Sequence, residues 1–284
     1  MQKVLVTGGL GFIGSNLVDL LMLTGEYDVT VIDNLISESS STDYKRENVK
    51  YWEADIRDVN QAKYIQDFDV VFHLAALARI QPSFKNPLET ISVDTYGTAT
   101  VCEFARKCGA KIVYAASSSF YAGPHLNPYA FAKWQGEEIC TLYSGCFGIS
   151  TAIARFFNVY GPRQPKTGDY ATVVGIFERQ YAEHAPLTIT GTGEQRRDFT
   201  HVSDICSGLI AISKGSYAGE KFNLGSAKNN SINELATMFN TEIKYIPSRP
   251  GEAENTLADI TKTTKLTGWL PEHNLQQYVK GITK

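Results

Sequence analysis

The feature that most constrains the fold lies near the amino terminus, where a short apolar run leads into three evenly spaced glycines. The run at residues 3–7 is rich in β-branched residues, which is typical of a buried parallel strand. Gly8, Gly11 and Gly14 follow at intervals of three. The first permits a sharp turn, the second lets a pyrophosphate approach the backbone, and the third lets a helix pack on the strand. The pattern predicts a strand, a tight turn and a helix whose N-terminus can bind dinucleotide phosphates.

An acidic residue at the end of the next strand favours one dinucleotide over another. The run Tyr27–Asp33 is predicted as a strand, and its last residue lies about 20 residues beyond the glycines, the usual separation in dinucleotide-binding folds. A carboxylate there can accept hydrogen bonds from a ribose diol and would repel the extra phosphate of NADP. A glycine-rich turn without a ligand is the alternative interpretation, but this acid weakens it. We therefore predict NAD as the cofactor.

Composition excludes several classes of protein. At 284 residues the chain can form one large or two modest domains, and 43% apolar with 20% charged residues is ordinary for a globular protein. A net charge of −3 gives no reason to expect nucleic acid or an anionic membrane as a partner. The apolar runs are too interrupted to span a bilayer, and the chain enters a strand at once, without room for a signal peptide.

Cysteine and histidine usage points to a reducing compartment and away from metals. The five cysteines are odd in number and lack C-x-x-C spacing, so we expect reduced, mostly buried thiols in a cytoplasmic protein. The five histidines do not cluster in the sequence, and no metal site is predicted.

Strand and helix patterns alternate through the first half of the chain. Further strands are predicted at 70–75, Lys111–Ser117 and 151–157, with helices at 87–108 and 128–144. This alternation predicts an α/β fold, a Rossmann-type doubly wound parallel sheet, followed by a smaller, mixed C-terminal substrate lobe. We expect residues 1–157 to form the NAD-binding domain, with 200–224 returning to it, and 158–199 and 225–284 to form the lobe. Ligands in such folds bind beyond the carboxyl ends of the strands.

Three residues form a candidate acid–base set at that edge. Tyr129 and Lys133 are four residues apart on one face of a predicted helix. A nearby ammonium would lower the pKa of the tyrosine toward the working pH. Ser117 ends its strand, where its hydroxyl can bond the same substrate oxygen. A surface pair is the alternative for a tyrosine and lysine at this spacing, but the nucleotide motif and the strand-end serine favour catalysis.

With these motifs in place, the sequence resembles the extended short-chain dehydrogenase/reductase family, and within it the UDP-glucose and UDP-N-acetylglucosamine 4-epimerases. The resemblance covers nearly the whole chain. The matching stretches are residues 7–14, 33–35, 54–57, 73–76, 117–119, 129 with 133, 155–162, 191–199 and 249–252.

The resemblance implies a role for each matching residue. It implies that the catalytic residues are Ser117, Tyr129 and Lys133. It implies NAD contacts from Gly8, Gly11, Phe12, Ile13, Gly14, Asp33, Asn34, Asp55, Ile56, Leu74, Ala75, Ala76, Tyr129 and Lys133, with Asp55 and Ile56 flanking the adenine. It implies substrate contacts from Ser118, Ser119, Asn158, Arg197, Arg249, Glu252 and Thr256. Arginine forks suit phosphates and a carboxylate suits a ribose diol, although surface solubility for the arginines and loop capping for Asn158 and Glu252 remain alternatives.

Departures from the family pattern bear on the reaction. Family members often have asparagine where this chain has Asp94, and only eleven residues separate Ser117 from Tyr129, which suggests an open sugar site. The 4,6-dehydratases place Asp-Glu where this chain has Ser118 and Ser119, and the UDP-glucuronate decarboxylases typically have glutamate at the latter position. Since a serine hydroxyl is not a general acid or base near neutral pH, both subclasses are disfavoured.

We therefore predict an NAD-dependent nucleotide-sugar 4-epimerase acting on UDP-hexoses, with Thr256 small enough to admit an N-acetyl group at C2. The alternatives are a 4-ketoreductase or dehydrogenase with net redox and, less favoured because the acid–base set is intact, a non-catalytic nucleotide-sugar sensor. By the same resemblance we expect a homodimer formed by the helices at 87–108 and 128–144. Its candidate apolar contacts are Val101, Phe104, Trp134 and Leu142, with a place in the core as the alternative for each of them.

Overall fold

The computed structural model describes residues 1–37 and 40–284 as an α/β fold around a parallel sheet. The strands are β1 Gln2–Thr7, β2 Tyr27–Asp33, β3 Lys50–Glu53, β4 Val70–His73, β5 Lys111–Ser117, β6 Thr151–Phe156, β7 Val159–Tyr160, β8 Leu187–Thr190, β9 Arg196–Asp198, β10 Thr200–His201, β11 Ala218–Leu224, β12 Asn229–Ser231 and β13 Ile243–Ile246. The helices are α1 Phe12–Thr24, α2 Ile80–Lys85, α3 Pro87–Ile91, α4 Gly97–Cys108, α5 Ser119–Ala122, α6 Pro128–Phe147, α7 Val173–Ala182, α8 Val202–Ser213, α9 Ile232–Thr237, α10 Thr261–Thr267 and α11 Leu275–Ile282. Within these ranges no helix combines the length and the apolar composition needed to cross a bilayer.

The central sheet has seven strands in the order β11-β6-β5-β4-β1-β2-β3, and every neighbouring pair is parallel. The order reverses at β1, so the carboxyl ends of β1 and β4 border the crevice where ligands bind in such sheets. This architecture confirms the predicted Rossmann-type fold. The C-terminal part adds three two-stranded pairs, of which β12 with β9 is antiparallel and the others are parallel.

Side chains of the sheet alternate between two apolar cores. On β1, Val4 and Val6 face the core that contains α1 and α8, whereas Leu5 faces the core that contains α4 and α6. A third core lies between α7, β8, α9 and α11 and includes Phe177 and Phe239. β11 pairs with β6 at the edge of the main sheet; the division into two domains nevertheless stays a prediction.

Several predicted elements end at different residues in the structure. β4 stops at His73 because the hydroxyl of Thr7 accepts hydrogen bonds from the N–H groups of Leu74 and Ala75 and draws the chain out of the sheet. The predicted helix at 87–108 contains a π-helical turn, Ser92–Tyr96, between α3 and α4. α6 runs to Phe147, three residues beyond the predicted end, and stops at a glycine with positive φ.

Two of the residues suggested as intersubunit contacts lie inside the protein instead. Val101 and Phe104 are completely buried against the sheet. They face inward because α4 is amphipathic and packs its apolar side on β4 and β5. Trp134 is half-buried, while Leu142 on α6 is exposed.

Candidate active site

One large cleft of about 490 Å³ opens at the carboxyl ends of the central strands, between the sheet and the C-terminal segments. All the residues predicted to bind cofactor or substrate, and all three candidate catalytic residues, line this cleft. The sequence motifs, which are up to 248 positions apart from Gly8 to Thr256, therefore meet in one place.

The glycine-rich turn has a shape that only glycine allows. Gly8 has φ +69°, and a Cβ on it would lie 2.9 Å from the backbone of Ala75. A Cβ on Gly14 would lie 2.1 Å from the carbonyl oxygen of Gly8, so the start of α1 presses directly on the turn. The first N–H groups of α1, from Phe12 to Gly14, have no partner within the helix and lie on the cleft wall. This arrangement fits a pyrophosphate.

Carboxylates lie at the ends of β2 and β3 beside this turn. Asp33 accepts hydrogen bonds from the N–H groups of Leu10 (2.9 Å) and Leu35 (2.8 Å), one on each oxygen. Burial raises the pKa of Asp33, and these bonds to its charged form oppose that shift. Asp55 pairs with Arg57 at 2.8 Å, which lowers the pKa of Asp55. Asp33 is therefore a fixed acceptor at the end of β2 on the cleft wall, a position that suits a ribose diol.

The candidate catalytic residues come from the end of β5 and the first turns of α6. Asn127 caps α6 by accepting a hydrogen bond from Ala130 N–H at 2.8 Å, with Pro128 at the first helical position. Tyr129 and Lys133 therefore project from one face of a firmly started helix. The hydroxyl of Ser117 hydrogen-bonds the Tyr129 phenol.

The electrostatics of Tyr129 differ from the expectation that Lys133 lowers its pKa. Burial raises the pKa of Tyr129, the hydrogen bond from Ser117 and the charge of Arg79 lower it, and Asp94 raises it. The ammonium of Lys133 points instead at the carbonyl of Ala115, 2.9 Å away. Burial also lowers the pKa of Lys133, while Asp94 raises it. The expectation is wrong for this structure, because the lysine is turned toward β5.

Two charged residues near the phenol were not among the predicted site residues. Asp94 lies in the π-helical turn, where one carboxylate oxygen accepts the N–H of Leu77 at 2.7 Å and the other is buried without a partner in the described part of the chain. Arg79 lies just before α2 on the cleft wall. The unusual acid at 94 was a visible sequence signal; nothing in the sequence singled out Arg79.

The other side of the cleft carries the predicted substrate residues. Arg197 faces Glu252 at 3.8 Å, and Arg249 lies exposed nearby on the same wall. The side-chain amide of Asn158 donates a hydrogen bond to the hydroxyl of Thr256 at 3.1 Å. This hydrogen bond holds the side chain of Thr256 against the wall of the cleft, so it does not project into the opening.

Several known proteins are similar to this chain in sequence or in structure. The family model described as the NAD dependent epimerase/dehydratase family matches residues 4–225. A putative UDP-glucose 4-epimerase from Methanocaldococcus jannaschii is 35% identical over 98% of this chain and 96% of its own length. A UDP-glucuronic acid decarboxylase 1 from Xenopus tropicalis is 31% identical over 97% of this chain and 70% of its own length. The crystal structure of a UDP-glucuronic acid 4-epimerase from Bacillus cereus, in complex with UDP-glucuronic acid and NAD, superimposes with a TM-score of 0.90 at 30% identity, covering 99% of this chain and 98% of that one.

Proposed function

This chain belongs to the NAD dependent epimerase/dehydratase family, and we propose that it is a UDP-sugar 4-epimerase. The observation that carries the proposal is the joining of a dinucleotide turn and the Ser117–Tyr129 pair in one cleft. The two residues after Ser117, which face the same cleft, are serines that cannot take part in proton transfers at C5 or C6.

NAD is the cofactor of this family, and the residues of the cleft fit it. When bound, NAD would supply the hydride acceptor and donor that oxidation and reduction at C4 of the sugar require. The glycine-rich turn and the start of α1 would bind the pyrophosphate, and the carboxylate of Asp33 would bind the adenosine ribose. Asn34, Asp55 and Ile56 surround the adenine. Leu74, Ala75 and Ala76 form the wall between the pyrophosphate and the catalytic residues.

Proton transfer at C4 is the task of Tyr129. Its phenol oxygen accepts the proton of the C4 hydroxyl as C4 is oxidised and returns a proton when the configuration is inverted. The hydroxyl of Ser117 bonds the same substrate oxygen and holds it at the phenol. Lys133, whose ammonium donates to the carbonyl of Ala115 at the end of β5, would hold the ribose next to the nicotinamide.

The nucleotide part of the substrate lies on the opposite wall. Arg197 and Arg249 bind the diphosphate, and Glu252 binds the uridine ribose. Asn158 contacts the diphosphate, and the side chain of Asn158 is held in place by its hydrogen bond to Thr256 at 3.1 Å. The small side chain of Thr256 leaves room for an N-acetyl group at C2, so both UDP-glucose/galactose and UDP-N-acetylglucosamine/galactosamine are sterically acceptable. Ser118 and Ser119 contact the hexose.

Relatives that catalyse other reactions define the functions that compete with a 4-epimerase. A 4-ketoreductase or dehydrogenase would use the same residues but would consume or release reduced cofactor in each turnover. A decarboxylase or dehydratase would need an acid or base beside Ser117, where this chain has Ser118 and Ser119. An internal oxidation and return at C4 needs neither.

The test is incubation of NAD-loaded enzyme with a panel of UDP-hexoses, followed by proton NMR of the products. The panel contains the glucose/galactose, N-acetylglucosamine/N-acetylgalactosamine and glucuronate/galacturonate pairs. We expect conversion between C4 epimers without net change in NADH absorbance. Stoichiometric consumption of reduced cofactor, or a product altered at C5 or C6, would overturn the proposal.

A further inference from the structure

Arg79 is a cation on the wall of the substrate cleft that has no task in the proposed reaction. It lies between the end of β4 and α2. Its guanidinium donates hydrogen bonds to two neutral acceptors, the carbonyl oxygens of Tyr170 (2.8 Å) and Ala78 (3.1 Å). A guanidinium has five N–H donors, so these two bonds leave donors for a ligand.

The charge of Arg79 has no acidic partner within residues 1–37 and 40–284. Elsewhere on the cleft wall, Arg197 faces Glu252 and Arg57 pairs with Asp55 and Glu89. Arg79 is half-buried, and burial lowers its pKa. Because a desolvated cation without a counter-charge is costly, such a group in a binding cleft is suited to an anion that arrives with the ligand.

The position of Arg79 indicates which part of the substrate meets it. Its charge lowers the pKa of Tyr129, so the guanidinium lies close to the phenol. α2, which begins directly after Arg79, is joined to the start of α6, because the hydroxyl of Ser83 accepts a hydrogen bond from the backbone N–H of Tyr129 at 3.2 Å. The phenol meets the oxygen on C4 of the hexose. On a hexopyranose, C6 is attached to the ring carbon next to C4, whereas the diphosphate on C1 lies across the ring.

A second group in the same part of the cleft lacks a partner. The hydroxyl of Ser119 is buried and makes no hydrogen bond to any described residue, yet Ser119 lines the cleft two residues after Ser117. Its backbone N–H bonds the Ser117 hydroxyl at 3.2 Å, which holds it beside the catalytic set. A buried hydroxyl without a partner is unusual, and the cleft that Ser119 lines is where a partner can enter.

Building on the proposed 4-epimerase activity, we propose that the preferred substrate is a UDP-hexuronate, whose C6 carboxylate is bound by the guanidinium of Arg79 and the hydroxyl of Ser119. A planar guanidinium matches a carboxylate with two parallel hydrogen bonds. Arg79 is thus a specificity-determining residue: a neutral CH₂OH at C6 fits the space but leaves the cation without its counter-charge.

The test compares sugar preference in wild type, Arg79→Gln and the matched control Lys85→Gln, all loaded with NAD. Lys85 is a cation at the end of α2, the helix that follows Arg79, and pairs with Asp169 at the surface, 2.6 Å away, so its substitution removes the same charge outside the cleft wall. We expect wild type and Lys85→Gln to prefer UDP-glucuronate over UDP-glucose. Arg79→Gln should lower kcat/KM for the uronate by about 10- to 100-fold and change that for glucose by less than about threefold.

Other outcomes overturn the assignment. A wild-type preference for neutral sugars, or an equal fall for both sugars in Arg79→Gln, would mean that Arg79 acts on Tyr129 or on folding rather than on a carboxylate. Equilibrium binding of UDP-glucuronate and UDP-glucose to the wild type and to Arg79→Lys, measured calorimetrically, does not depend on turnover. If no sugar is epimerised but the uronate binds more tightly through Arg79, the proposed function fails while the carboxylate site stands. Equal binding of both sugars removes the site alone.

Discussion

At the scale of single residues, the phenol of Tyr129 is the group on which the proposed chemistry depends. Burial raises its pKa, and the nearest opposing influences are the Ser117 hydroxyl and the charge of Arg79. We expect Tyr129→Phe to lower kcat by about 10²- to 10⁴-fold, because it removes only the proton acceptor. NAD affinity, followed by fluorescence titration, should stay within about threefold. Turnover close to wild type would rule out Tyr129 as the base.

The buried carboxylate of Asp94 gives a prediction for the pH profile. Its charge raises the pKa of Tyr129, so neutralising it should favour the phenolate and lower that pKa. The acidic limb of kcat/KM in Asp94→Asn should therefore move to lower pH than in wild type. Asp28→Asn, at an exposed position on β2, serves as the control and should leave the limb in place. A shift to higher pH in Asp94→Asn would contradict this electrostatic account.

The motif residues could be predicted because their spacing in the sequence reflects local geometry. The importance of Arg79 could not be predicted in this way. Gly8 and Gly14 must be glycines because of contacts within the turn and with β4, and their spacing in the sequence reports that need. The importance of Arg79 arises instead from the lack of an acidic partner among residues 1–37 and 40–284, a tertiary feature that no local pattern encodes. The orientation of Lys133 toward Ala115 is also a tertiary effect, so the sequence analysis assigned the wrong cation to Tyr129.

At the scale of elements, the end of β2 sets cofactor preference. Asp33 is held by two backbone N–H groups, so its carboxylate cannot turn away from a phosphate on the adenosine ribose. We expect protein stripped of nucleotide to bind NAD more tightly than NADP by at least about tenfold, or about 1.4 kcal/mol. Asp33→Asn should narrow this difference. Tighter binding of NADP by the wild type, in the same titration, would overturn the assignment.

The elements that sequence patterns missed have weak local signals. β3 is a four-residue edge strand with partly exposed side chains, so it lacks the apolar run that marks β1, β4 and β5. The π-helical turn between α3 and α4 is invisible for a different reason. Its residues keep a helical pattern, and the turn widens where Asp94 is directed inward to the N–H of Leu77. β2 and β5, which are buried and bounded by clear turns, were predicted to the residue.

At the scale of the whole molecule, exposed apolar side chains on α3, the π-helical turn and α6 point to assembly. Leu88, Tyr96 and Leu142 are 82%, 58% and 55% exposed, although the helices that carry them pack closely on each other. We predict a homodimer through these helices. Light scattering at micromolar concentration should give a dimer for wild type and a monomer for Leu142→Arg. Leu23→Arg, on the distant helix α1, should remain dimeric; a monomeric wild type would refute the prediction.

The cysteines agree with the sequence analysis, which predicts mostly buried thiols. All five cysteines are free, four are buried, and only Cys146 is exposed. Cys102 and Cys140 lie 3.9 Å apart as thiols in the core between α4 and α6. Free, mostly buried thiols are the state that the number and spacing of the cysteines predict.

The central claim, oxidation and return at C4 within one active site, is tested most directly with a substrate that carries deuterium at C4. NAD-loaded enzyme is incubated in ordinary water with the C4-deuterated form of whichever UDP-hexose of the panel it converts, and the epimeric product is analysed by NMR and mass spectrometry. We expect full retention of deuterium at C4 of the inverted product, because the label leaves and returns without meeting solvent. Loss of the label to water, or its accumulation in released reduced cofactor, would contradict it.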